Sequence, residues 1–200
     1  MKLLLATHNK NKVRELSALI AEDPALRGKL EVVSFSDIGY TAGIEENGAT
    51  FADNALIKAR AGAALGYLTV ADDSGLTVDA LGGAPGVYSA RYAGEPSDDE
   101  ANNRKLMREM EDVPDEKRTA SFISVIACVW PDGRAATVSG ECRGRILRAP
   151  RGQGGFGYDP YFLSDDLGIT LAEATEEQKN AVSHRGRAMR KFCRAIAPML

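Results

Sequence analysis

Short apolar runs separated by amphipathic stretches dominate the first third of the chain. Three runs have the length and flanking residues of strands buried in a sheet: residues 2–6, 30–35 and 67–71. Between the first two runs, Val13, Leu16, Leu19 and Ile20 recur at helical spacing, which predicts an amphipathic helix there. The polar residues 43–48 predict a loop before the next helix.

Capping residues indicate where further helices begin. The expected caps are Thr50 with Asp53, Ser97 with Glu100, Thr175 with Gln178, and Ser183 alone. The first of these helices is predicted to run to about Leu65 and the second to end near Met110. Helices therefore alternate with strands over most of the chain.

A long hairpin is predicted in the second half. Residues 118–130 and 134–147 flank the turn sequence Pro131-Asp132-Gly133. Strand–helix alternation followed by such a hairpin predicts an α/β fold with a mixed, twisted central sheet flanked by helices. Because no repeat, low-complexity stretch or long linker interrupts the chain, we expect a single domain over residues 1–200.

Composition and charge narrow the functional classes. The sequence is 44% hydrophobic and 26% charged, and its net charge of −3 argues against a dedicated nucleic-acid binder. No apolar run approaches the roughly 20 residues that a membrane-spanning helix needs, and residues 1–6 are too short for a signal peptide, so we expect no membrane association and a cytoplasmic location. Cys128, Cys142 and Cys193 lack metal-site or disulfide spacing and are expected to be packing residues.

Two segments carry residues that suit phosphate. The first lies between the first strand and the first helix: Thr7, His8, Asn9, Lys10, Asn11 and Lys12. A helix N-terminus offers free amide groups to an anion, and Lys12 adds a charge. In the second segment, Thr50, Asn54 and Lys58 recur every four residues and share one helix face. The first segment could also be one of the polar turns that commonly precede helices, and the second an ordinary solvated helix face.

Adjacent carboxylates follow the third apolar run. Asp72 and Asp73, with Ser74 next, come directly after a predicted buried strand, where unpaired carboxylates are costly. Magnesium is a natural partner, because it takes one or two carboxylates together with phosphate oxygens, and Glu46 could supply another oxygen. The alternative is a simple Asp/Ser/Gly turn.

Two later segments suit a nucleobase. In residues 154–160, glycines allow close approach of the backbone, and either Phe156 or Tyr158 offers a flat face for stacking; the alternative is a connection with core aromatics. In residues 179–185, His184 and Arg185 could donate to a base edge or a phosphate, or could serve only as a helix cap.

These segments together resemble the Ham1-like inosine triphosphate pyrophosphatase family. The resemblance extends from Thr7 to Gly186, and its motifs occur in order: Thr-x-Asn-x-x-Lys, Glu-x-x-x-Thr-Phe-x-x-Asn-Ala-x-x-Lys-Ala, Ala-Asp-Asp-Ser-Gly-Leu, Gly-Gly-Ala-Pro-Gly-x-Tyr-Ser-Ala-Arg-Tyr, Gly-Gly-Phe-Gly-Tyr-Asp-Pro and Ser-His-Arg-Gly. It implies a two-lobed fold with the active site in the cleft between the lobes, a homodimer, and a bound Mg²⁺. The implied reaction is hydrolysis of non-standard purine nucleoside triphosphates, of the inosine and xanthosine types, to the monophosphate and pyrophosphate, which keeps them out of DNA and RNA.

The resemblance also implies roles for individual residues. Glu46 and Asp73 correspond to the metal carboxylates, Asp73 also to the proton acceptor, Lys12 and Lys58 to phosphate contacts that support catalysis, and Asp72 to a supporting residue. The remaining substrate contacts are Thr7, His8, Asn9, Lys10, Asn11, Ser74, Phe156, Gly157, Tyr158, Asp159, Lys179, His184 and Arg185.

Four questions stay open at this point. His8 stands where many relatives have glycine, and Glu45 competes with Glu46 as the metal ligand. The Maf-like pyrophosphatases are the nearest rival enzyme class, although the Ser183-His184-Arg185 segment favours the purine family. A nucleotide-binding module without activity is the rival from another class, and the intact Asp72-Asp73 pair argues against it.

Overall fold

The computed structural model describes residues 1–199, without the side chain of Asn11. Asn11, one of the predicted phosphate-site residues, therefore lies outside the described side chains. The strands are β1 (Lys2–Leu5), β2 (Glu31–Ser34), β3 (Leu68–Val78), β4 (Thr119–Val129), β5 (Ala135–Ile146) and β6 (Phe162–Ser164). The α-helices are α1 (Lys10–Glu22), α2 (Phe51–Ala63), α3 (Asp99–Glu109), α4 (Glu176–Val182) and α5 (His184–Ile196).

The strands form one mixed sheet in the order β2-β1-β3-β4-β5-β6. Strand β1 pairs in parallel with both β2 and β3, whereas β5 pairs antiparallel with β6. The predicted hairpin is present, because β4 and β5 are neighbours joined by a turn in which Trp130 N donates to Arg134 O over 2.9 Å. The predicted α/β class with a mixed sheet and flanking helices is therefore confirmed.

The chain divides into two compact units. The first contains Met1–Asp73, Val125–Ser139 and the chain from Ala188 onward, and the second contains Ser74–Ser124 and Gly140–Arg187. Each unit has its own buried core.

Helices cover both faces of the sheet in the first unit. On one face, α1 and α5 pack against Leu3, Leu5, Leu68 and Val70. On the other face, the small side chains of α2 pack against strand residues that alternate with these: Leu4 and Ala71. Successive residues of a strand point to opposite faces, so both faces of β1 and β3 are buried here, as their continuous apolar runs predict.

The core of the second unit is formed by its strands, α3 and the segment around Tyr158. Leu106 and Met110 anchor α3 in this core and are fully buried. The buried guanidinium of Arg118 donates to the carbonyl groups of Met110 and Ile146, among others, so it connects the end of α3 to the end of β5. This fixes α3 relative to its own core at both its apolar face and its C-terminus.

Most of the predicted helix starts are confirmed. Complete capping boxes occur at Thr50 and Thr175, and Ser183 Oγ accepts from Gly186 N over 3.1 Å at the start of α5. The cap of α3 was placed wrongly: Asp98, not Ser97, accepts from the backbone of the first turn. Aspartate and serine cap equally well, so their order in Ser97-Asp98 could not decide between them.

The predicted end of the third strand is also wrong. Strand β3 continues from Leu68 to Val78 and includes the Asp72–Gly75 segment that reads locally as a turn. It continues because Leu76 and Val78 are fully buried in the second core, and because Leu76 N donates to the distant Ser89 Oγ over 2.9 Å. Strand β6, of only three residues, was not predicted.

The three cysteines, Cys128, Cys142 and Cys193, are buried and not disulfide-bonded, which confirms that they are packing residues. Over residues 1–199, the helices are too short or too polar to span a lipid bilayer.

Candidate functional site

Two carboxylates share one ammonium group in the first unit. Lys58 Nζ lies 2.6 Å from Glu46 Oε2 and 3.2 Å from Asp73 Oδ1. Asn54 donates from Nδ2 to the other oxygen of Asp73 over 3.2 Å, and its own Oδ1 accepts from Gly48 N over 2.8 Å. Asn54 and Lys58 are one turn apart on α2, so the helix brings an amide and an ammonium to the same carboxylate.

Burial and charge shift the protonation of this group. Burial raises the pKa of Asp73 above its usual value, although Lys58 and Asn54 act in the opposite direction. For Lys58, burial alone would lower the pKa, but the neighbouring Asp73 and Glu46 carboxylates raise it overall. Lys58 is therefore a charged ammonium near neutral pH, whereas Asp73 is a stronger proton acceptor than an exposed aspartate.

Asp72 belongs to the opposite face of the sheet. Lys12 Nζ on α1 donates to both oxygens of Asp72 over 2.9 Å, and Asp72 is buried. Consecutive residues of β3 alternate between faces, so Asp72 points toward the α1 layer while Asp73 points toward α2. The structure thus brings Glu46, Lys58 and Asp73 together, and pairs Lys12 with Asp72 instead.

The turn between β1 and α1 holds the other predicted phosphate residues. Asn9 N donates to Thr7 Oγ1 over 3.1 Å, and His8 Nδ1 lies 3.1 Å from Ser36 Oγ. His8, Asn9 and Lys10 are exposed, and Lys10 begins α1. Thr50, in contrast, uses its hydroxyl within the capping box of α2. It is therefore not available to bind phosphate together with Asn54 and Lys58, as the sequence predicted.

The carboxylates fit a hard divalent cation. No cluster of three or more His, Cys, Asp or Glu side chains suited to a metal ion occurs within the described residues. Glu46 and Asp73 are, however, close to each other, because Lys58 Nζ donates to Glu46 Oε2 over 2.6 Å and to Asp73 Oδ1 over 3.2 Å. Glu45, in contrast, is exposed. Mg²⁺ needs only one or two carboxylates when phosphate oxygens and water complete its shell, so this donor set suits it, and it favours Glu46 over Glu45.

In the second unit, the ring of Phe156 is exposed to solvent beside a cation. Phe156 is 65% exposed, and Lys179 Nζ lies 4.6 Å from the centre of its ring. Lys179 also forms an ion pair with Asp159, which accepts from Phe156 N over 2.9 Å. An exposed ring beside a fixed ammonium is a surface on which a planar base can stack.

The structure distinguishes the two aromatic candidates. Tyr158 is only 5% exposed, packs in the second core and donates from its hydroxyl to Ser89 O over 2.8 Å. Its ring is therefore a core element, and Phe156 is the residue with a free face. Burial also raises the pKa of the Tyr158 hydroxyl well above its usual value, so it stays protonated as a donor.

His184 and Arg185 lie at the start of α5. The His184 ring stacks on Phe122 with centres 5.0 Å apart and an angle of 14° between the planes, so its orientation is fixed. Arg185 is half-buried beside it, and Ser74 is half-buried on β3. Among the predicted base-site residues, Phe156, Asp159 and Lys179 are in direct contact with one another.

Two residues that contact the Phe156 loop (residues 154–160) were not predicted from the sequence. Asp99 Oδ2 accepts from Gly157 N over 2.8 Å, and Asn103 Nδ2 donates to Gly157 O over 2.9 Å. Their spacing of four residues on α3 shows that they share a face. Nothing local connects them to a loop more than fifty residues away, so the sequence offered no signal for the contact.

Comparison with known proteins identifies the family of the chain. Residues 3–195 match the model of the Ham1 family. The chain is 53% identical to a dITP/XTP pyrophosphatase of Desulforamulus reducens, over 96% of this chain and 93% of that protein, and 52% identical to one of Geobacter sulfurreducens, over 94% and 92%. The structure of the Staphylococcus aureus Ham1 protein superposes with a TM-score of 0.91 at 35% identity, with all of both chains covered. The chain therefore belongs to the Ham1 family.

Proposed function

We propose that this protein hydrolyses non-standard purine nucleoside triphosphates, dITP, ITP and XTP, to the nucleoside monophosphate and pyrophosphate. Relatives with this activity in their names share about half of their residues with it over nearly their full length. The observation that carries the proposal within the molecule is the Glu46–Lys58–Asp73 group, in which two carboxylates and an ammonium converge. Such a reaction removes these nucleotides before they enter DNA or RNA.

Asp73 is proposed as the proton acceptor. Water attacks the α-phosphorus, its proton passes to Asp73, and the bond from the α-phosphorus to the bridging oxygen breaks, so that pyrophosphate leaves. Asn54 and Lys58 each hold one oxygen of Asp73 in place. Lys58 and Lys12 supply positive charge to the phosphates, and Thr7, His8, Asn9 and Lys10 supply hydrogen bonds at the β1–α1 turn.

Glu46 and Asp73 would hold Mg²⁺ with the phosphate oxygens. When bound, the ion neutralises charge on the phosphates and on the departing pyrophosphate. Lys58 also pairs with both carboxylates and offsets one of their two negative charges beside the half-buried Asp73.

Base recognition is assigned to the second unit. We assign the stacking of the base to the exposed ring of Phe156 and the recognition of its edge to the donor groups of His184 and Arg185. Hypoxanthine and xanthine carry an acceptor oxygen at C6 where adenine carries a donor amine, so a donor there rejects adenine. Guanine also has this oxygen and must be excluded at its 2-amino group, by steric clash or by leaving a donor unpaired.

A homodimer is part of the proposal. Residues 81–92 are rich in glycine and tyrosine, and Tyr88 in this stretch is 59% exposed with the Arg91 guanidinium 5.4 Å from its ring centre. Large exposed aromatics beside arginine are typical of interfaces. We expect a dimer by light scattering at micromolar concentration, and a monomer there would contradict it. A single Ham1-type domain over residues 1–200 and a cytoplasmic location complete the proposal.

Pyrophosphate release tests the function directly. The wild-type protein is assayed with Mg²⁺ on dITP, ITP, XTP, ATP, GTP, CTP, UTP and dTTP, and Asp73→Asn is the matched inactive control. We expect release from the first three at a catalytic efficiency at least about 10²-fold above that for ATP. Equal rates on all eight would contradict the base selectivity, and no release from any would contradict the hydrolase activity itself.

A further inference from the structure

The exposed ring of Phe156 sits between two glycines in the left-handed region. Gly155 has φ of +73° and Gly157 has φ of +60°. Glycine has more backbone freedom than any other residue, and an exposed side chain gains little orientation from packing. The direction of the Phe156 ring must therefore be set by hydrogen bonds from neighbouring elements.

At the backbone N–H of Phe156, the hydrogen bond is made within the loop itself. Asp159 accepts from Phe156 N over 2.9 Å and is held in turn by Lys179. These residues already belong to the proposed base site.

On the C-terminal side of Phe156, the hydrogen bonds come from side chains of α3. Asp99 accepts from Gly157 N, and Asn103 donates to Gly157 O, so both polar backbone groups of this glycine are engaged. The helix is rigidly supported, since Leu106 and Met110 are fully buried in the second core. The two bonds transfer that rigidity to the residue that directly follows Phe156.

We infer that Asp99 and Asn103 are positioning residues that hold Phe156 in the orientation in which it stacks on the base. The inference rests on the proposed function, because it assumes that Phe156 binds the base. Neither residue is assigned a contact with the substrate. They act on the affinity for nucleotides that carry a base and leave the phosphate chemistry unchanged.

Paired substitutions separate the hydrogen bonds from the charge. Asn103→Asp is nearly isosteric but replaces the donor with an acceptor facing Gly157 O, and Asp99→Ala removes the acceptor at an exposed position where folding is not at risk. Asp99→Asn keeps an acceptor oxygen and is the rescue variant. Glu100→Gln is the matched control, because it removes a charge from the same first turn of α3, and the Glu100 carboxylate pairs with exposed Arg104.

We expect Asn103→Asp and Asp99→Ala to raise KM for dITP roughly tenfold, the size of a lost base-stacking contact, with kcat changed less than about twofold. Asp99→Asn and Glu100→Gln should stay within about twofold of wild type in both constants. Inhibition by inorganic tripolyphosphate, which has no base, should be unchanged in all four variants. A merely structural role would alter tripolyphosphate inhibition as well.

A double variant tests whether the effect passes through Phe156. If Asn103 acts only by positioning that ring, Asn103→Asp should add no further increase in KM to Phe156→Ala. Full additivity, or a wild-type KM for both Asn103→Asp and Asp99→Ala while Phe156→Ala raises KM, would overturn the positioning role and leave the proposed function intact. An unchanged KM in Phe156→Ala would instead overturn the stacking on which the inference rests. Failure of the proposed function itself is distinct, since the wild-type protein would then release no pyrophosphate.

Discussion

The Glu46–Lys58–Asp73 group and the Phe156 loop are built in different ways. In the first, Asp73 lies on β3, Lys58 on α2 and Glu46 in the loop before α2, and both carboxylates are attracted directly to the Lys58 ammonium. The second lies in an irregular segment, and Phe156 is oriented by Asp159 within the loop and by side chains of the distant helix α3. The first group therefore depends on charge, whereas the second depends on backbone geometry.

This difference has a consequence for how each region responds to change. Replacing a charged residue on a strand or helix leaves the backbone in place, because packing on both sides of the residue holds the element. Replacing an anchor of a glycine-rich loop releases the backbone. We therefore expect losses of kcat from the first region and losses of affinity from the second.

The largest effect is expected for Asp73→Asn. The amide matches the carboxylate in size but cannot accept the proton from water, so kcat should fall by at least about 10²-fold. Thermal unfolding should stay within a few degrees of wild type, since the strand is unchanged. Steady-state kinetics with dITP measure the effect, and more than about a tenth of the wild-type rate would rule out Asp73 as the base.

The next effect is expected for Arg185→Ala. If Arg185 reads the base, the C6 oxygen loses a charge-assisted hydrogen bond, which costs roughly 1.5–3 kcal/mol or about 10- to 100-fold in kcat/KM for ITP. Activity toward ATP should change far less, because adenine never forms that bond. An equal loss on both substrates would mean that Arg185 serves the phosphates or the fold.

A smaller effect is expected on the metal dependence. Glu46→Gln should raise the Mg²⁺ concentration needed for half-maximal activity by roughly tenfold, because the neutral amide is a weaker ligand for a hard cation. Glu45→Gln is the matched control on an exposed neighbour and should leave it unchanged. A shift in the Glu45 variant alone would reverse the assignment of the ligand.

The smallest effects are expected at the two glycines of the loop. A Cβ at Gly155 would lie 2.2 Å from Asp159 Oδ2, whereas a Cβ at Gly157 meets nothing within 4 Å. Both substitutions carry the left-handed cost of roughly 1–2 kcal/mol, but only Gly155→Ala also displaces Asp159. Gly155→Ala should therefore lower the free energy of unfolding more than Gly157→Ala, as measured by urea denaturation. Equal losses would mean that Asp159 moves away without cost.

The regular parts of the fold could be predicted because their signals are local. The helical spacing in α1 and the capping boxes at Thr50 and Thr175 depend on residues within one or two turns. The hairpin is marked by Pro131-Asp132-Gly133 in the same way. Residues Asn54, Lys58 and Asp73 could likewise be singled out, since their charge and spacing are visible along the chain.

The remainder depends on contacts between distant residues. Strand β3 passes through an apparent turn because Leu76 and Val78 are buried in a core formed later in the sequence. The pairing of Lys12 with Asp72 follows from the face of β3 that each aspartate occupies. The faces could not be predicted without knowing that the strand continues through both aspartates to Val78. Asp99 and Asn103 could not be found at all, because their partner Gly157 is more than fifty positions away.

The alternation of Asp72 and Asp73 across β3 makes this part of the chain sensitive to the parity of insertions. One residue inserted between Val70 and Asp72 would exchange the two carboxylates between the faces of the sheet, so that each lysine would meet the wrong aspartate. Two inserted residues would restore the faces and only advance the carboxylates along the strand. Charge alone therefore does not specify the pairing of Lys12 with Asp72 and of Lys58 with Asp73; an even or odd count of residues along one strand does.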